Sequence, residues 1–218
     1  MDRPVGGARA GVPALHVVTD DAVLARADFP ALAAEVLGLG PDVALHVRGR
    51  RAAGGFLHGL AERLGGVAAS GAFLVVNDRV DVALAAGVRR VHLGEGSLPV
   101  GLARALMGPG AEVGVSAHSA EGAARASREG ARWIFAGTIY ATASHADVEP
   151  CGPAGLSAAV EAAADVPVLA IGGVTPGRVA EVVEMGAHGA AVIGGVWRAR
   201  DPVAAANEYL ETLARESR

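Results

Sequence analysis

The sequence contains no lysine, so all 19 of its basic side chains are arginines. Any mechanism that depends on a lysine amine is therefore excluded. The formal net charge of −4 argues against a nucleic-acid-binding surface, which would need an excess of basic residues. Aromatic residues are scarce, but 51% of the 218 residues are apolar, which suits one α/β domain with a large core.

The chain also has few features of a secreted or membrane protein. Its single cysteine, Cys151, permits no intramolecular disulfide and is interpreted as an incidental thiol. No hydrophobic run is long enough to span a membrane. The first 13 residues lack the apolar segment of a signal peptide, so we expect a flexible tail over 1–13, one domain over 14–218, and a cytoplasmic location.

Short apolar runs alternate with helix-like segments along the whole chain. Unbroken apolar runs are typical of parallel strands buried on both faces. Eight strand–helix units in a chain of this length predict a single (β/α)8 TIM barrel, and no GxGxxG follows the first strand to favour an open doubly wound sheet. The predicted strands are Ala14–Thr19, Val43–Val47, Phe73–Val76, Arg90–Leu93, Glu112–Val115, Trp133–Ala136, Pro167–Ile171 and Gly189–Ile193.

Two glycine pairs follow the last two predicted strands: Gly172-Gly173 and Gly194-Gly195. In a TIM barrel the turns after strands seven and eight often bind phosphate, because glycine lets backbone N–H groups approach an anion closely. One pair alone would favour a role in packing or helix capping. Two pairs at these positions favour a phosphate site.

Other polar residues follow the remaining strands, where a TIM barrel places its reactive groups. His118 could accept and donate a proton, or merely hydrogen-bond a loop. Arg48 and Arg50 suit phosphate or carboxylate, although Arg51 makes a solvated basic turn an alternative. Asp78, after Asn77, could bind Mg²⁺ or cap the next helix. Further candidates at strand ends are Asp20, Ser97, Ser116 and Thr138.

The remaining histidines are weaker candidates for chemistry. His46 is expected in the barrel interior or wall, and His92 is expected to pack at a strand end. His145 lies in a long irregular loop, Ile139 to Pro153, where it could fold over a ligand or face solvent. We expect structural or surface positions for His16, His58 and His188.

The order and spacing of these segments resemble the thiamine-phosphate synthase / thiazole tautomerase (TenI-like) superfamily. The resemblance runs from Ala14 to Leu213 and suggests a small-molecule thiazole phosphate as ligand, with no nucleic-acid or membrane partner. Barrels of this type often pair, so a homodimer is an expected assembly. The matching stretches are LHVVTD, LHVRGR, VVNDRVDVAL, RVHLGEGSLP, VGVSAHSAEGA, FAGTIYATAS, VPVLAIGGVTPGRV and GAHGAAVIGGV.

For the synthase branch, which joins a pyrimidine diphosphate to a thiazole phosphate, the resemblance implies a basic pair of Arg and Lys, an Asn-Asp pair, a second Asp and a loop lysine. Arg48 and Arg50 would be the basic pair, and Asn77-Asp78 match. The second Asp falls at Ser97, and the loop reads ATASH without a lysine. Mg²⁺ would be needed for this reaction, with Asp78 as its ligand.

For the tautomerase branch, which aromatises a carboxythiazole phosphate, the resemblance implies proton transfer by His118 and no cofactor. Because a metal carboxylate and two lysines of the synthase pattern are missing, the sequence favours a thiazole tautomerase, an isomerase. Arg48 or Arg50 would then hold the substrate carboxylate, and Asn77, Ser116 and Thr138 would contact substrate. The alternatives are a Mg²⁺-dependent thiamine-phosphate synthase and a non-catalytic barrel that binds a phosphorylated ligand.

Overall fold

The computed structural model describes residues 11–68, 71–142 and 148–216 of the chain. Most of the predicted N-terminal tail and His145 therefore lie outside the described residues. So does the middle of the loop between Ile139 and Pro153, and with it the question of whether that loop closes over a ligand.

Eight parallel strands in the described part of the chain form a closed barrel in sequence order, which confirms the predicted fold. The ring closes where the first strand pairs with the last, with Leu15 opposite Ala190. Because all strands run in the same direction, their carboxyl ends meet at one end of the barrel. The strands are β1 Leu15–Val18, β2 Val43–Val47, β3 Phe73–Asn77, β4 Arg90–Leu93, β5 Glu112–Ala117, β6 Trp133–Gly137, β7 Val168–Ile171 and β8 Gly189–Val192.

Helices surround this barrel, and none among the described residues is long and apolar enough to cross a membrane. Two short helices, Asp21–Leu24 and Gly194–Trp197, follow β1 and β8 and were not expected from the sequence. The helices are α1 Asp21–Leu24, α2 Phe29–Leu37, α3 Gly54–Ala68, α4 Val80–Ala85, α5 Val100–Met107, α6 Ala120–Arg128, α7 Gly152–Ala162, α8 Val179–Glu184, α9 Gly194–Trp197 and α10 Pro202–Glu216.

Asp28 and Thr175 precede helical segments without capping them. Asp28 precedes α2 but makes no capping bond with its side chain, because its carboxylate pairs with Arg26 at 2.8 Å. Thr175 also makes no capping bond, and Pro176–Arg178 is a 3₁₀ turn that leads into α8. In contrast, Ser119 caps α6 by accepting a hydrogen bond from the Gly122 N–H.

The barrel has two distinct apolar regions. Aliphatic side chains, mainly Val, Leu and Ala, fill the layer between strands and helices. The interior of the barrel instead contains much of the chain's small aromatic content, with Phe73, Trp133 and Phe135 packed around His16 and His46. Aromatic rings therefore pack directly against the buried histidines inside the barrel.

Gly114 on β5 makes room for the largest interior side chain. It pairs in register with Trp133 on β6, and a Cβ at position 114 would overlap the Trp133 indole. The indole is fully buried, and its Nε1 donates to His92 Nδ1 at 3.0 Å. Glycine is thus required at position 114 by packing rather than by backbone conformation.

We expect Gly114→Ala to destabilise the protein by about 1–3 kcal/mol, because an added methyl group in a filled core forces neighbouring side chains to move. Urea denaturation measures the change. Gly59→Ala is the matched control, since a Cβ there meets nothing within 4 Å on α3. The control should be neutral or more stable by up to about 1 kcal/mol, and equal effects of the two substitutions would contradict the packing argument.

Candidate functional site

A pocket of about 760 Å³ opens at the carboxyl ends of the strands. It brings together residues that are far apart in sequence but that all follow, or lie at the end of, a strand. The predicted site residues that line it are Arg48, Arg50, Asn77, Asp78, Ser97, Ser116, His118, Thr138, Gly172, Gly173, Gly194 and Gly195. Asp20 is not among the lining residues and instead caps α1 by accepting from the Val23 N–H at 2.9 Å.

The first glycine pair requires glycine at both positions. Gly172 and Gly173 have φ values of +96° and +65°, a region that side-chain-bearing residues rarely adopt. A Cβ on Gly172 would lie 2.6 Å from Thr138 Cγ2, and one on Gly173 would lie 2.7 Å from the Ala141 carbonyl oxygen. The turn after β7 is therefore pressed against the segment that follows β6, and its backbone faces the pocket.

The second glycine pair begins the short helix α9. The first N–H groups of a helix have no intrahelical acceptor, so those of Gly194 and Gly195 can serve a ligand. A Cβ at Gly195 would collide with the Tyr209 hydroxyl, which donates to the Val174 carbonyl at 2.9 Å. Helix α10, which carries Tyr209, thus fixes this edge of the pocket.

Thr19 and Asp21 hold Arg48 and Arg50 through backbone groups, and no described residue hydrogen-bonds either guanidinium group. The Thr19 hydroxyl lies 2.8 Å from both the N–H and the carbonyl oxygen of Arg48. The Asp21 carboxylate accepts from the N–H groups of Arg50 and Arg51. Burial lowers the pKa of Arg48, and the nearby Arg50 adds to this effect. An anion between the two arginines would relieve that repulsion.

Asp78 has a left-handed backbone conformation, with φ at +60°. Its Oδ1 accepts a hydrogen bond from the Gly94 N–H at 2.8 Å and another from the Ser97 hydroxyl. The residue that caps α4 is Arg79, so the alternative that Asp78 caps this helix with its side chain is wrong. The carboxylate instead connects the β3 and β4 ends at the pocket wall.

His118 follows β5 and has a defined tautomer. Its Nδ1 lies 2.5 Å from the Gly137 carbonyl oxygen, which can only accept, so Nδ1 carries the proton. Nε2 of the neutral ring is then free to accept a proton, and 53% of the side chain is exposed. The Glu95 carboxylate lies 3.8 Å from this Nε2.

Three charged residues of the pocket were missed in the sequence: Glu95, Arg178 and Arg198. Glu95 lies two residues past the end of β4, so the rule used for the other candidates could have found it. Arg178 and Arg198 each follow a glycine pair by roughly one helical turn, which is a weaker indication. Arg178 donates to the Gly173 carbonyl at 2.8 Å and lies over the Tyr140 ring, and Arg198 lies 3.7 Å from Asp20.

Three buried histidines lie inside the barrel: His16 and His46 lie below the pocket, and His92 is one of the residues that line it. The Trp133 indole can only donate, so His92 accepts at Nδ1 and donates from Nε2 to the Ser116 hydroxyl at 2.9 Å. His46 Nδ1 lies 2.8 Å from Asn77 Oδ1. Burial lowers the pKa of His46 to about 3 and lowers those of His16 and His92 well below the ordinary value. All three rings are therefore neutral at neutral pH, in the structural positions expected for them.

Eight parallel strands closed into a ring, with cationic and titratable side chains gathered at their carboxyl ends, define a TIM-barrel enzyme. The chain belongs to the thiamine monophosphate synthase family, whose model matches residues 15–196. This confirms the resemblance seen in the sequence and places the protein in thiamine biosynthesis.

Curated relatives and solved structures agree with this assignment. The chain is 40% identical to a thiamine-phosphate synthase of Methanoculleus marisnigri over 92% of this chain and 95% of that protein. It is 51% identical over 147 residues to the thiamine biosynthesis bifunctional protein ThiM/ThiE of Symbiobacterium thermophilum, a match that spans 66% of this chain but only 30% of that longer protein. Among solved structures, a thiamine phosphate pyrophosphorylase from Pyrococcus furiosus shares 29% identity and a TM-score of 0.82, over 96% of this chain and 99% of that one.

The neutral interior histidines predict a loss of stability in mild acid. Their pKa values are lowered on folding, so below the unfolded-state value of about 6.5 the unfolded chain binds protons that the folded protein does not. We expect the free energy of unfolding to fall by up to about 4 kcal/mol between pH 7.5 and pH 5.5, as measured by urea denaturation. Equal stability at the two pH values would contradict the assignment.

Proposed function

We propose that this protein is a thiamine-phosphate synthase that joins a pyrimidine diphosphate to a thiazole phosphate. The observation that carries the proposal is the 40% identity to the Methanoculleus marisnigri thiamine-phosphate synthase over nearly the full length of both chains. The tautomerase activity favoured by the sequence alone has no specific support among the relatives. The lining of the pocket is compatible with the synthase reaction.

The glycine turns suit the phosphate of the thiazole. The N–H groups at the start of α9 point away from the helix, and Gly172-Gly173 leaves no Cβ to keep an anion at a distance. These turns would hold the thiazole at the β7 and β8 side of the pocket. Ser116 and Thr138, on β5 and just after β6, also line the pocket and would contact the same substrate.

The two arginines after β2 suit the diphosphate. Arg48 and Arg50 offer planar guanidinium groups that can each bind two oxygens. In the coupling reaction the bond between the pyrimidine methylene carbon and the diphosphate oxygen breaks, and the thiazole ring forms a new bond to that carbon. Diphosphate leaves with the electron pair, so its developing negative charge is what the arginines would stabilise.

Mg²⁺ fits this pocket only together with the substrate. Among residues 11–68, 71–142 and 148–216, no group of three or more His, Cys, Asp or Glu side chains is placed to hold a metal ion. Mg²⁺ commonly binds through one or two carboxylates plus substrate phosphate oxygens. Asp78 would be that carboxylate, and the ion would supply charge neutralisation on the diphosphate.

The chain departs from the pattern implied for synthases at Ser97 and at the missing lysines, and the pocket offers partial substitutes. The Ser97 hydroxyl donates to Asp78 and so orients the remaining carboxylate. Arg178 and Arg198 add two cations beside the glycine turns. The pocket therefore still carries positive charge, although the cations lie at other positions than the lysines of the synthase pattern.

A thiazole tautomerase is the second candidate, and the geometry of His118 favours it. The Nδ1–H of His118 is committed to the Gly137 carbonyl, which leaves Nε2 in the pocket as a base beside Glu95. In that reaction His118 would remove the ring proton and return a proton to the exocyclic carbon, with Arg48 or Arg50 on the substrate carboxylate. This reaction would need no metal.

Two parallel assays separate these activities. One contains pyrimidine diphosphate, thiazole phosphate and Mg²⁺, and the other contains the non-aromatic tautomer of carboxythiazole phosphate without metal. We expect coupling with release of diphosphate, and a loss of about 100-fold in kcat/KM for Asp78→Asn, the scale of losing one electrostatic group at a developing charge. Asp81→Asn, which removes an exposed carboxylate on α4 that pairs with Arg79, is the matched control.

Each alternative outcome is distinct. Metal-free tautomerisation that His118→Ala abolishes, without coupling, would replace the proposed function with the second candidate. Binding of thiazole phosphate with no turnover in either assay would indicate a non-catalytic barrel that binds a phosphorylated ligand.

The role of the first glycine turn is tested by Gly173→Ala. The added Cβ would strain a left-handed backbone and meet the Ala141 carbonyl at 2.7 Å, so we expect binding of thiazole phosphate to weaken at least about tenfold. Isothermal titration calorimetry measures this affinity. Gly177→Ala lies four residues away in open space and should bind normally. Equal affinities of the two variants would place the phosphate elsewhere.

A further inference from the structure

A line of buried polar groups runs through the barrel interior to the pocket. The Pro13 carbonyl oxygen lies 3.2 Å from His16 Nε2, and His16 Nδ1 lies 2.7 Å from His46 Nε2. His46 Nδ1 in turn lies 2.8 Å from Asn77 Oδ1. Asn77 is the one member of this line that also lines the pocket. The line therefore connects the closed end of the interior to a candidate substrate-binding residue.

The number of protons along this line is one too few for its three contacts. Both ends, the Pro13 carbonyl and Asn77 Oδ1, can only accept. Each neutral imidazole carries a single N–H, so His16 and His46 together supply two protons. Burial opposes a third proton, because it lowers the pKa of both rings. One of the three contacts must lack a hydrogen.

The distances indicate which contact lacks it. At 2.7 and 2.8 Å, the His16–His46 and His46–Asn77 contacts are of ordinary hydrogen-bond length, whereas the 3.2 Å contact to Pro13 is at the long limit. The two protons therefore sit on His16 Nδ1 and His46 Nδ1. The hydrogen bonds then run in one direction, from His16 to His46 and from His46 to Asn77.

This direction determines how the Asn77 carboxamide is turned. Because Oδ1 accepts the hydrogen bond from His46 Nδ1, the amide is oriented with its NH₂ group on the side away from His46. Among the described residues, Nδ2 makes no hydrogen bond, and no buried side-chain N or O atom there lacks a partner, so Nδ2 is not a buried atom. The NH₂ group is thus accessible from the pocket, on the same wall as Asp78, Arg48 and Arg50.

We propose that His46 is a positioning residue, which holds the Asn77 amide so that its NH₂ group donates to an oxyanion of the phosphorylated substrate. An inverted amide would instead direct a carbonyl oxygen at the anion and repel it. That the ligand is a diphosphate rests on the proposed function, whereas the direction of the hydrogen bonds does not.

The direction is tested on the wild-type protein without ligand. Nitrogen-15 NMR of the histidine rings should show His16 and His46 neutral and protonated at Nδ1. His92 is an internal reference of opposite tautomer, because the Trp133 N–H forces its proton onto Nε2. A proton on His46 Nε2, or a doubly protonated His46, would overturn the inference whatever reaction the enzyme catalyses.

The consequence for binding is tested with inorganic diphosphate as the probe, by isothermal titration calorimetry. Glutamine at position 46 can donate to Asn77 and accept from His16, so His46→Gln should bind diphosphate nearly as wild type does. His46→Leu cannot donate, and we expect about tenfold weaker binding. Asn77→Ala should show a similar loss, and His58→Gln should show none.

Combining the two substitutions shows whether His46 affects ligand binding through Asn77 or through a wider disturbance of the structure. If His46 acts through Asn77, the His46→Leu/Asn77→Ala double variant should bind no more weakly than Asn77→Ala alone. Additive losses, or a His46→Gln variant as impaired as His46→Leu, would overturn the proposal. Should His46→Leu fail to fold, the Asn77→Ala and His46→Gln affinities and the tautomers still decide it. A protein that fails the coupling assay but shows these affinities would refute the proposed function alone.

Discussion

Closing eight parallel strands into a ring places a strong constraint on the side chains that point inward, because they alone must fill the interior. In this protein a large indole at Trp133 and three histidines meet that demand, and Gly114 yields the space for the indole. Polar rings buried in this way must satisfy one another's hydrogen bonds, since water does not reach them. The interior histidines thus fix residues at the floor of the pocket, because His92 hydrogen-bonds Ser116 and His46 hydrogen-bonds Asn77.

The fold could be predicted from the sequence because it depends on a repeated pattern. Eight apolar runs, each followed by a helical segment, indicate a closed parallel barrel, and the rule that chemistry collects at strand ends then selects most of the pocket lining. Glu95 was not predicted as a site residue, although it also lies just past a strand end. Arg178 and Arg198 could not be placed in advance, because their side chains reach the pocket from a 3₁₀ turn and from the end of α9.

The contacts that individual site residues make were harder to predict than the set of residues that line the pocket. Asp78 was equally suited to capping a helix or facing a ligand, and only the left-handed backbone and the bond from the Gly94 N–H decide for the pocket. The histidines inside the barrel were expected to be structural, but their pairing depends on which residues the register brings opposite. The reaction was harder still to predict from the residues. The missing lysines favoured a tautomerase, whereas similarity to a synthase along nearly the full length favours a synthase.

The absence of lysine has a consequence for how the pocket responds to alkali. Every cation around it is a guanidinium, which does not lose its proton in proteins. An ammonium group would begin to discharge toward pH 10, and substrate affinity would decline with it. Here the attraction for anionic substrates persists through that range, so any alkaline limb in a rate profile must originate in another group or in the substrate itself.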